Sequence, residues 1–519
     1  MKNIVFISDF FQEDLIGGAE LNDSVLISSL EKKGLKILKI KSNFLTEKEI
    51  FDNEYFIISN FTGLSEKNKI LLQMKKYIIY EHDHKYIRTR DPSKFVNFEV
   101  PEREIINKDF YSNADKIIVL SKICKDILEK TLNLNNVISI GTSLWSEKKL
   151  SYIESICTRE KDHDFCILNS KNIIKGTREA AQYAESNNLK YELLGPSAPD
   201  VLLGDMSKYE TFIFIPKVLE TLSRIVVEAK MLNCKVLTNK RLIGAAYEPW
   251  FELSGKELIS EIRQKIKDAI QIFYDLCTAP EITVILNCYR RPENLKQQIE
   301  SLRTQTIRPK EIWLWINDHQ DNRDFDFSNI DVDKIIKNDY NWKFFGRFSA
   351  CFLAKTEYIA LFDDDTIPGN RWFENCINTI KDYNGILGGA GVKLNGNKYQ
   401  GHDRFGWSSN NEEVVEVDLV GHAWFFRKNW IKYMWMEEPL TYENGEDIHF
   451  CYVAKKYGDI KTYCPPHPKN NIDFSSSTKG YELGVDEKAT SNQRNHFKFY
   501  TQRDAIVLRC MNRGWKNGI

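Results

Sequence analysis

The sequence predicts an α/β protein built as two strand-first units in series, and three observations carry that prediction. The chain opens on an apolar strand, "NIVFIS" (3–8), and opens again on one, "EITVILN" (281–287). After each opening, strands and amphipathic helices alternate over short connections, the pattern of right-handed βαβ crossovers and mainly parallel sheets. The length, 519 residues, exceeds what a single core organises, so more than one compact unit is required.

The elements follow in order. After the first strand comes Gly17-Gly18, then a helix from about Glu20 to Lys33 whose Leu21, Val25, Leu26 and Leu30 share a face, with Gly34 as its C-terminal cap. "LKILKI" is the next strand. Further on, "TFIFIP" (211–216) reads as a strand, "TLSRIVVEAKML" (221–232) as a helix and "CKVLTN" (234–239) as a strand. The stretch "FYDLCTAPE" (273–281) is the predicted boundary between units, and the charged stretch 146–163 a weaker one inside the first. This gives a first unit over 1–275, with lobes of about 1–150 and 160–275, and a second over 281–519. In the second, Pro292 opens a helix through Leu295, Ile299 and Leu302, and "EIWLWIN" (311–317) is the following strand.

Composition narrows the function classes. Lys+Arg 72 against Asp+Glu 73 leaves a net charge of −1, so no bulk charge draws the chain to nucleic acid or an anionic membrane. Hydrophobic content of 42% with 12% aromatics describes a globular protein. No apolar run reaches the length of about 20 residues that spans a bilayer, and residues 1–11 lack the layout of a signal peptide. The 11 cysteines show no CxxC pairing, which argues against a zinc site or a disulfide framework. The expectation is a cytoplasmic protein whose only membrane contact would be peripheral.

The densest chemical signal is "YIALFDDDTIPG" (358–369). An apolar strand ends on three adjacent aspartates, and in open α/β sheets ligands gather at the carboxyl ends of strands. Asp363 and Asp365 alternate with Asp364 along extended chain and so point the same way. Three carboxylates repel one another unless a cation holds them, and hard oxygen ligands suit Mg²⁺ or Mn²⁺ completed by a substrate phosphate. In the first unit, "IGGAE" (16–20) lets backbone approach a ligand at a helix N-terminus. Glu220 and Glu228 stand eight residues apart, at the entry of a helix and inside it.

Two resemblances extend this reading. "GGAELNDSVLISSLEKKG", "ADKIIVLSK" (114–122), "IIKGTREAAQYA" (173–184) and "LETLSRIVVEAKMLNCKVLTN" resemble GT-B glycosyltransferases of the retaining family 4 type, over nearly all of residues 1–275. The resemblance implies two Rossmann-like lobes facing across a cleft. Glu220 and Glu228 would lie near the donor sugar and ribose, Lys175 on the donor diphosphate and Gly17 and Gly18 beside the donor. His82 of "YEHDH" (80–84) would lie near the sugar. The family's usual arginine five residues before the lysine is Ser170 here.

"EITVILNCYRRPENLKQQIESLRTQTIRPKEIWLWIND" (281–318), "FGRFSACFLAKTEYIALFDDDTIPG" and "GEDIHFCYVAKKYG" (445–458) resemble GT-A glycosyltransferases of family 2, and in part exostosin-like domains. This resemblance makes Asp363-Asp364-Asp365 a DXD motif, with Asp363 and Asp364 at the nucleotide and Asp363 and Asp365 at the metal. It also places Asn287, Tyr289, Arg291, Asp318 and Arg347 around the donor. Asp447 would be the general base with Glu446 beside it, His422 and Trp424 of "GHAWFF" (421–426) would face the acceptor, and His467 of "PPHP" would be a further metal ligand. The implied function is bifunctional transfer from nucleotide-sugar donors to a glycan or glycolipid, the second unit needing Mn²⁺ or Mg²⁺. Its rivals are a chain with one active unit and a docking unit, and an enzyme acting on modified viral DNA bases. A nucleotidyltransferase would need a glycine-rich phosphate loop after 281–287, which "NCYRRPEN" lacks.

Overall fold

The computed structural model describes residues 3–483, 488 and 496–516. The chain divides into two compact units, Met1–Ala279 and Pro280–Ile519.

The first unit has two parallel sheets. Strands β1 (Asn3–Ser8), β2 (Lys36–Lys41), β3 (Tyr55–Ile58), β4 (Lys76–Glu81), β5 (Lys116–Val119) and β6 (Val137–Ser139) form one, in the order β2-β1-β3-β4-β5-β6. Strands β7 (His163–Leu168), β8 (Tyr191–Leu194), β9 (Tyr209–Phe214) and β10 (Lys235–Thr238) form the other, in the order β10-β9-β7-β8. β3 is buried along its whole length and β1 and β4 nearly so, which is why they read as continuous apolar runs rather than alternating ones. The helix Gly255–Thr278 closes the unit. Its Leu258, Ile259, Ile262, Ile266, Ala269 and Phe273 form a stripe at helical spacing, and the Tyr55 hydroxyl donates to its Leu276 carbonyl at 2.8 Å.

One segment departs from the sequence reading. The helix expected over 221–232 starts only at Arg224, because Ser223 sits at φ 73° and turns the chain just before it. The charged stretch at 146–163 falls where the chain passes from the first sheet to the second, and most of it is the helix Glu147–Ile156, capped by the Ser146 side chain and burying Leu150, Ile153 and Ile156. Its charges occupy the outer face.

The second unit is built on an eight-stranded mixed sheet. Its strands are β11 (Ile282–Cys288), β12 (Glu311–Ile316), β13 (Lys334–Lys337), β14 (Tyr358–Phe362), β15 (Ile386–Leu387), β18 (Val415–Val417), β20 (Trp424–Arg427) and β21 (Thr462–Cys464), ordered β13-β12-β11-β14-β20-β15-β21-β18. A three-stranded antiparallel sheet, β17 (Asp403–Gly406), β16 (Ala390–Lys393) and β19 (Leu419–Gly421), stands beside it. β11 and β14 are parallel with Leu286 opposite Phe362, so Asp363 leaves the sheet beside Asn287, which is still paired with β12. That register sets the geometry of the site.

Each unit carries its own buried apolar clusters, with no cluster shared between them among the described residues. Residues 1–279 and 280–519 produced separately should therefore each unfold in one cooperative transition on thermal denaturation. A fragment lacking a transition would show that its core is incomplete.

Candidate active site

In the second unit the three aspartates divide their work. Asp364 is buried and turns back into the protein: its carboxylate accepts from the Tyr289 and Arg290 amides at 3.3 and 3.1 Å and from Arg291 Nη1 at 2.8 Å. Asp364 and Arg291 thus hold the loop after β11, where the resemblance had put both on the donor. Asp363 pairs with the fully buried Arg347, carried on the short helix Gly346–Ala350. Burial pushes the Asp363 carboxyl up, but Arg347 and His422 outweigh it and hold it below the ordinary range. Asp365 has only a share of Arg291, at 3.5 Å, and burial, reinforced by Asp363 and Asp364, outweighs His422 and Arg291 and raises it.

His422 completes a group with Asp363 and Asp365 whose ligand atoms all lie within 4.8 Å of one another. It sits at φ 66° just after β19, and its Nδ1 lies 2.8 Å from the Thr366 hydroxyl and 4.0 Å from Asp363 Oδ2. Two carboxylates and an imidazole are a suitable donor set for a divalent ion such as Mn²⁺. His422 was expected on the acceptor side, and His467 as the metal ligand. His467 is instead structural: its Nδ1 meets the Pro465 carbonyl at 2.8 Å, its Nε2 meets Ser476 at 2.9 Å, and burial pushes its pKa down to about 4. Trp424, also expected at the acceptor, is buried on β20 against Phe348 and Phe450 and belongs to the core.

Glu446 and Asp447 open the helix Glu446–Gly458, after Gly445 at φ 81°. A Cβ at Gly445 would fall 2.4 Å from Ile506, so only glycine allows both the turn and this packing. Asp447 is ion-paired with Arg503, which lies on the helix His496–Asn512 and donates to Asn444 at 3.2 Å while its guanidinium stacks 4.0 Å from the Tyr399 ring. Arg503, Asn444 and Tyr399 were not anticipated, because they lie outside every stretch that carried a resemblance. Glu446 is buried, and burial with the neighbouring Asp447 raises its pKa to about 8. At the far edge, Asn287 accepts from Asn317 at 3.3 Å, Tyr289 packs edge-on to His319, and Asp318 pairs with Arg323 at 2.6 Å.

In the first unit, Gly17, Gly18, His82, Lys175, Glu220 and Glu228 line one cleft of about 840 Å³. Lys175 Nζ bridges both Glu220 oxygens, at 2.9 and 3.0 Å. Glu228 accepts from Trp145 Nε1 at 2.8 Å. Arg224, missed in the sequence, spans the two lobes: it stacks 4.4 Å from the Trp145 ring and donates to Asn22 at 2.8 Å and to the Leu144 carbonyl at 2.7 Å.

With these geometries in place, a likeness to a known family falls on the second unit. Residues 283–434 match the family model described as glycosyl transferase family 2, which places this unit among the glycosyltransferases. The match ends before the Glu446–Gly458 helix. No curated protein sequence matches the chain. Among solved structures, S. aureus TarS aligns at 17% identity and TM-score 0.27, covering 36% of this chain and 37% of that one. The alpha-glucosyltransferase AGT in complex with UDP aligns at 12% and 0.30, covering 53% and 93%. The mannosyltransferase PcManGT from Pyrobaculum calidifontis, in complex with GDP-Man and Mn²⁺, aligns at 12% and 0.29, covering 46% and 66%. The chain thus spans little more than a third of full-length TarS.

The raised Glu446 gives a test of this electrostatic arrangement. The fold favours its neutral form, so its stabilising contribution is complete below the ordinary value of 4.5 and is lost as pH rises through about 8. Glu446→Gln cannot ionise. In metal-free protein its melting temperature should rise relative to the parent between pH 5 and pH 9. A difference that stays constant over that range would show that Glu446 is not held neutral.

Proposed function

We propose that the second unit transfers a sugar from a nucleoside diphosphate donor to an acceptor hydroxyl in a metal-dependent reaction. The observation that supports this best is the convergence of Asp363, Asp365 and His422 with the Glu446–Asp447 pair. Gly421, next to His422, lies so close to Asp447 that a Cβ there would be 3.6 Å from its Oδ2. Donor and acceptor functions therefore meet at one point. Asp363, Asp365 and His422 would hold the ion, which when bound supplies positive charge to the leaving diphosphate. Arg347 fixes Asp363 in place. Asp447, held by its ion pair with Arg503, would take the acceptor proton, a role worth about 10²–10⁴ in rate.

A second reading concerns the first unit. Its cleft gathers the six residues the resemblance assigns to a donor, and Lys175 can exchange Glu220 for a diphosphate. We read it as a second donor site that needs no metal, making the protein bifunctional toward a glycan or glycolipid acceptor.

Release of nucleoside diphosphate from UDP- and GDP-sugars tests both readings. Asp365→Ala or EDTA should abolish the reaction of the second unit and leave that of the first. Asp447→Asn should lower turnover of the second unit by about 10²–10⁴ with donor KM unchanged. Full activity of Asp365→Ala in EDTA, with Lys175→Ala also in place, would refute the metal-dependent site.

A further inference from the structure

We infer that the second unit docks on an anionic membrane surface through an aromatic face beside its candidate active site, and that its acceptor is a glycolipid held in that surface. The assignment of the acceptor rests on the reading of this unit as a glycosyltransferase.

The face is built by two segments that also carry the site. In the first, the helix Gly346–Ala350, which holds the buried Arg347, runs into a 3₁₀ turn, Cys351–Leu353. Phe352 and Leu353 end that turn exposed, Leu353 by 70%. In the second, the 3₁₀ helix Lys428–Trp435 packs against the same turn. Residues three apart eclipse in a 3₁₀ helix, so Lys432 and Trp435 share a side, and both are exposed, as is the following Met436. The chain then reaches Tyr442, 51% exposed, shortly before Glu446 and Asp447. Tyr442 packs edge-on to Phe345 with ring centroids 5.4 Å apart, and Lys343 pairs with Glu443 at 3.3 Å, which joins the two segments a second time. Tyr340 and Trp342, 60% and 52% exposed and in ring contact at 5.1 Å, extend the first segment.

Single exposed apolar residues need no explanation, but a run of them on interlocked segments marks a docking site. The kind of residue and the charge identify the partner. Trp and Tyr have an apolar body and a polar tip, which suits the headgroup level of a bilayer. The side chains of Lys355, Lys428 and Lys432 have no acidic partner among the described residues. The carboxylates of Glu357, Glu437 and Glu443 are already taken, by Arg427, Lys456 and Lys343. Glu438 is exposed on this stretch, and the three lysines outweigh it. The local surplus is thus positive in a chain whose net charge is −1. Aromatic anchors set among unpaired lysines match a surface of anionic lipid. Because the segments that carry the face also carry Arg347, Glu446 and Asp447, docking holds the site at headgroup depth. A sugar headgroup can present its hydroxyl there without its lipid leaving the bilayer.

The full chain is tested first by flotation with vesicles of phosphatidylcholine, alone or mixed with phosphatidylglycerol. Binding should require phosphatidylglycerol and weaken as salt rises. Leu353→Ser with Trp435→Ser should abolish it, and Lys355→Ala with Lys432→Ala should weaken it about 30-fold. All four residues are exposed, so melting temperatures should not change. Transfer is then read with Lys175→Ala in place and Mn²⁺ present, using UDP-glucose, UDP-N-acetylglucosamine and GDP-mannose. The acceptor is glucosyl diacylglycerol in the same vesicles or methyl glucoside in solution. The lipid acceptor should be preferred, and Leu353→Ser with Trp435→Ser should remove the preference while leaving metal-dependent nucleotide release unchanged. No binding to phosphatidylglycerol vesicles, or binding that the variants leave intact, would overturn the docking face. So would a dimer in sedimentation velocity that Trp435→Ser dissolves without vesicle binding, which would assign the face to a second copy of the chain. Vesicle binding with no preference for the lipid acceptor would overturn the glycolipid. Absence of metal-dependent nucleotide release from all three donors would overturn the transferase reading and the glycolipid with it, while leaving the docking face standing.

Discussion

Like-charge repulsion among carboxylates governs the second unit. Asp363, Asp364, Asp365, Glu446 and Asp447 converge on one site, and water is largely excluded from it. Three buried arginines divide the load: Arg291 takes Asp364, Arg347 takes Asp363 and Arg503 takes Asp447. Removing either partner of such a pair would cost about 3–5 kcal/mol, because the survivor would be left charged in a poor solvent. Asp365 and Glu446 are the two carboxylates without an arginine of their own, and both are raised. A divalent ion beside Asp365, as proposed above, would supply the charge that the protein withholds.

The first unit solves a different problem with the same architectural rule. Its cleft is bounded by strand ends and helix starts, where chain direction delivers polar groups to one edge. Among the charges there, Lys175 is satisfied by Glu220 within the second lobe, and Arg224 across the lobes by Asn22 and the Leu144 carbonyl. No carboxylate crowd demands a metal. On the proposed reading the two units would neutralise a diphosphate by different means, one by an ion and one by a lysine.

Much of this was legible in the sequence where chemistry and position coincide. The aspartates follow an apolar strand directly, so their place at a strand end could be read without a structure. The Gly17-Gly18 loop, Lys175, Glu220 and Glu228 likewise carry local signals of loop and helix start. Partnerships across long sequence distance were not legible. Arg503 meets Asp447 only because two helices pack, and nothing near Arg503 distinguishes it from other basic residues. Trp424 and His467 failed for a related reason. An aromatic or a histidine next to a motif looks functional, but whether its side chain turns inward depends on strand register and on a carbonyl such as that of Pro465.

The pairing of Asp447 with Arg503 also sets an order of assembly. As the chain emerges during synthesis, the strands of the second unit and the Glu446–Gly458 helix become available before the His496–Asn512 helix does. Until that later helix docks, Ile506 does not cover Gly445, and Asp447 has no cation to offset its burial. The nascent unit can therefore collapse around its sheet while the edge that carries Asp447 stays open to water. Arrival of one guanidinium then seals the edge and gives Asp447 its ion pair in the same step, so completion of the fold and of this edge coincide.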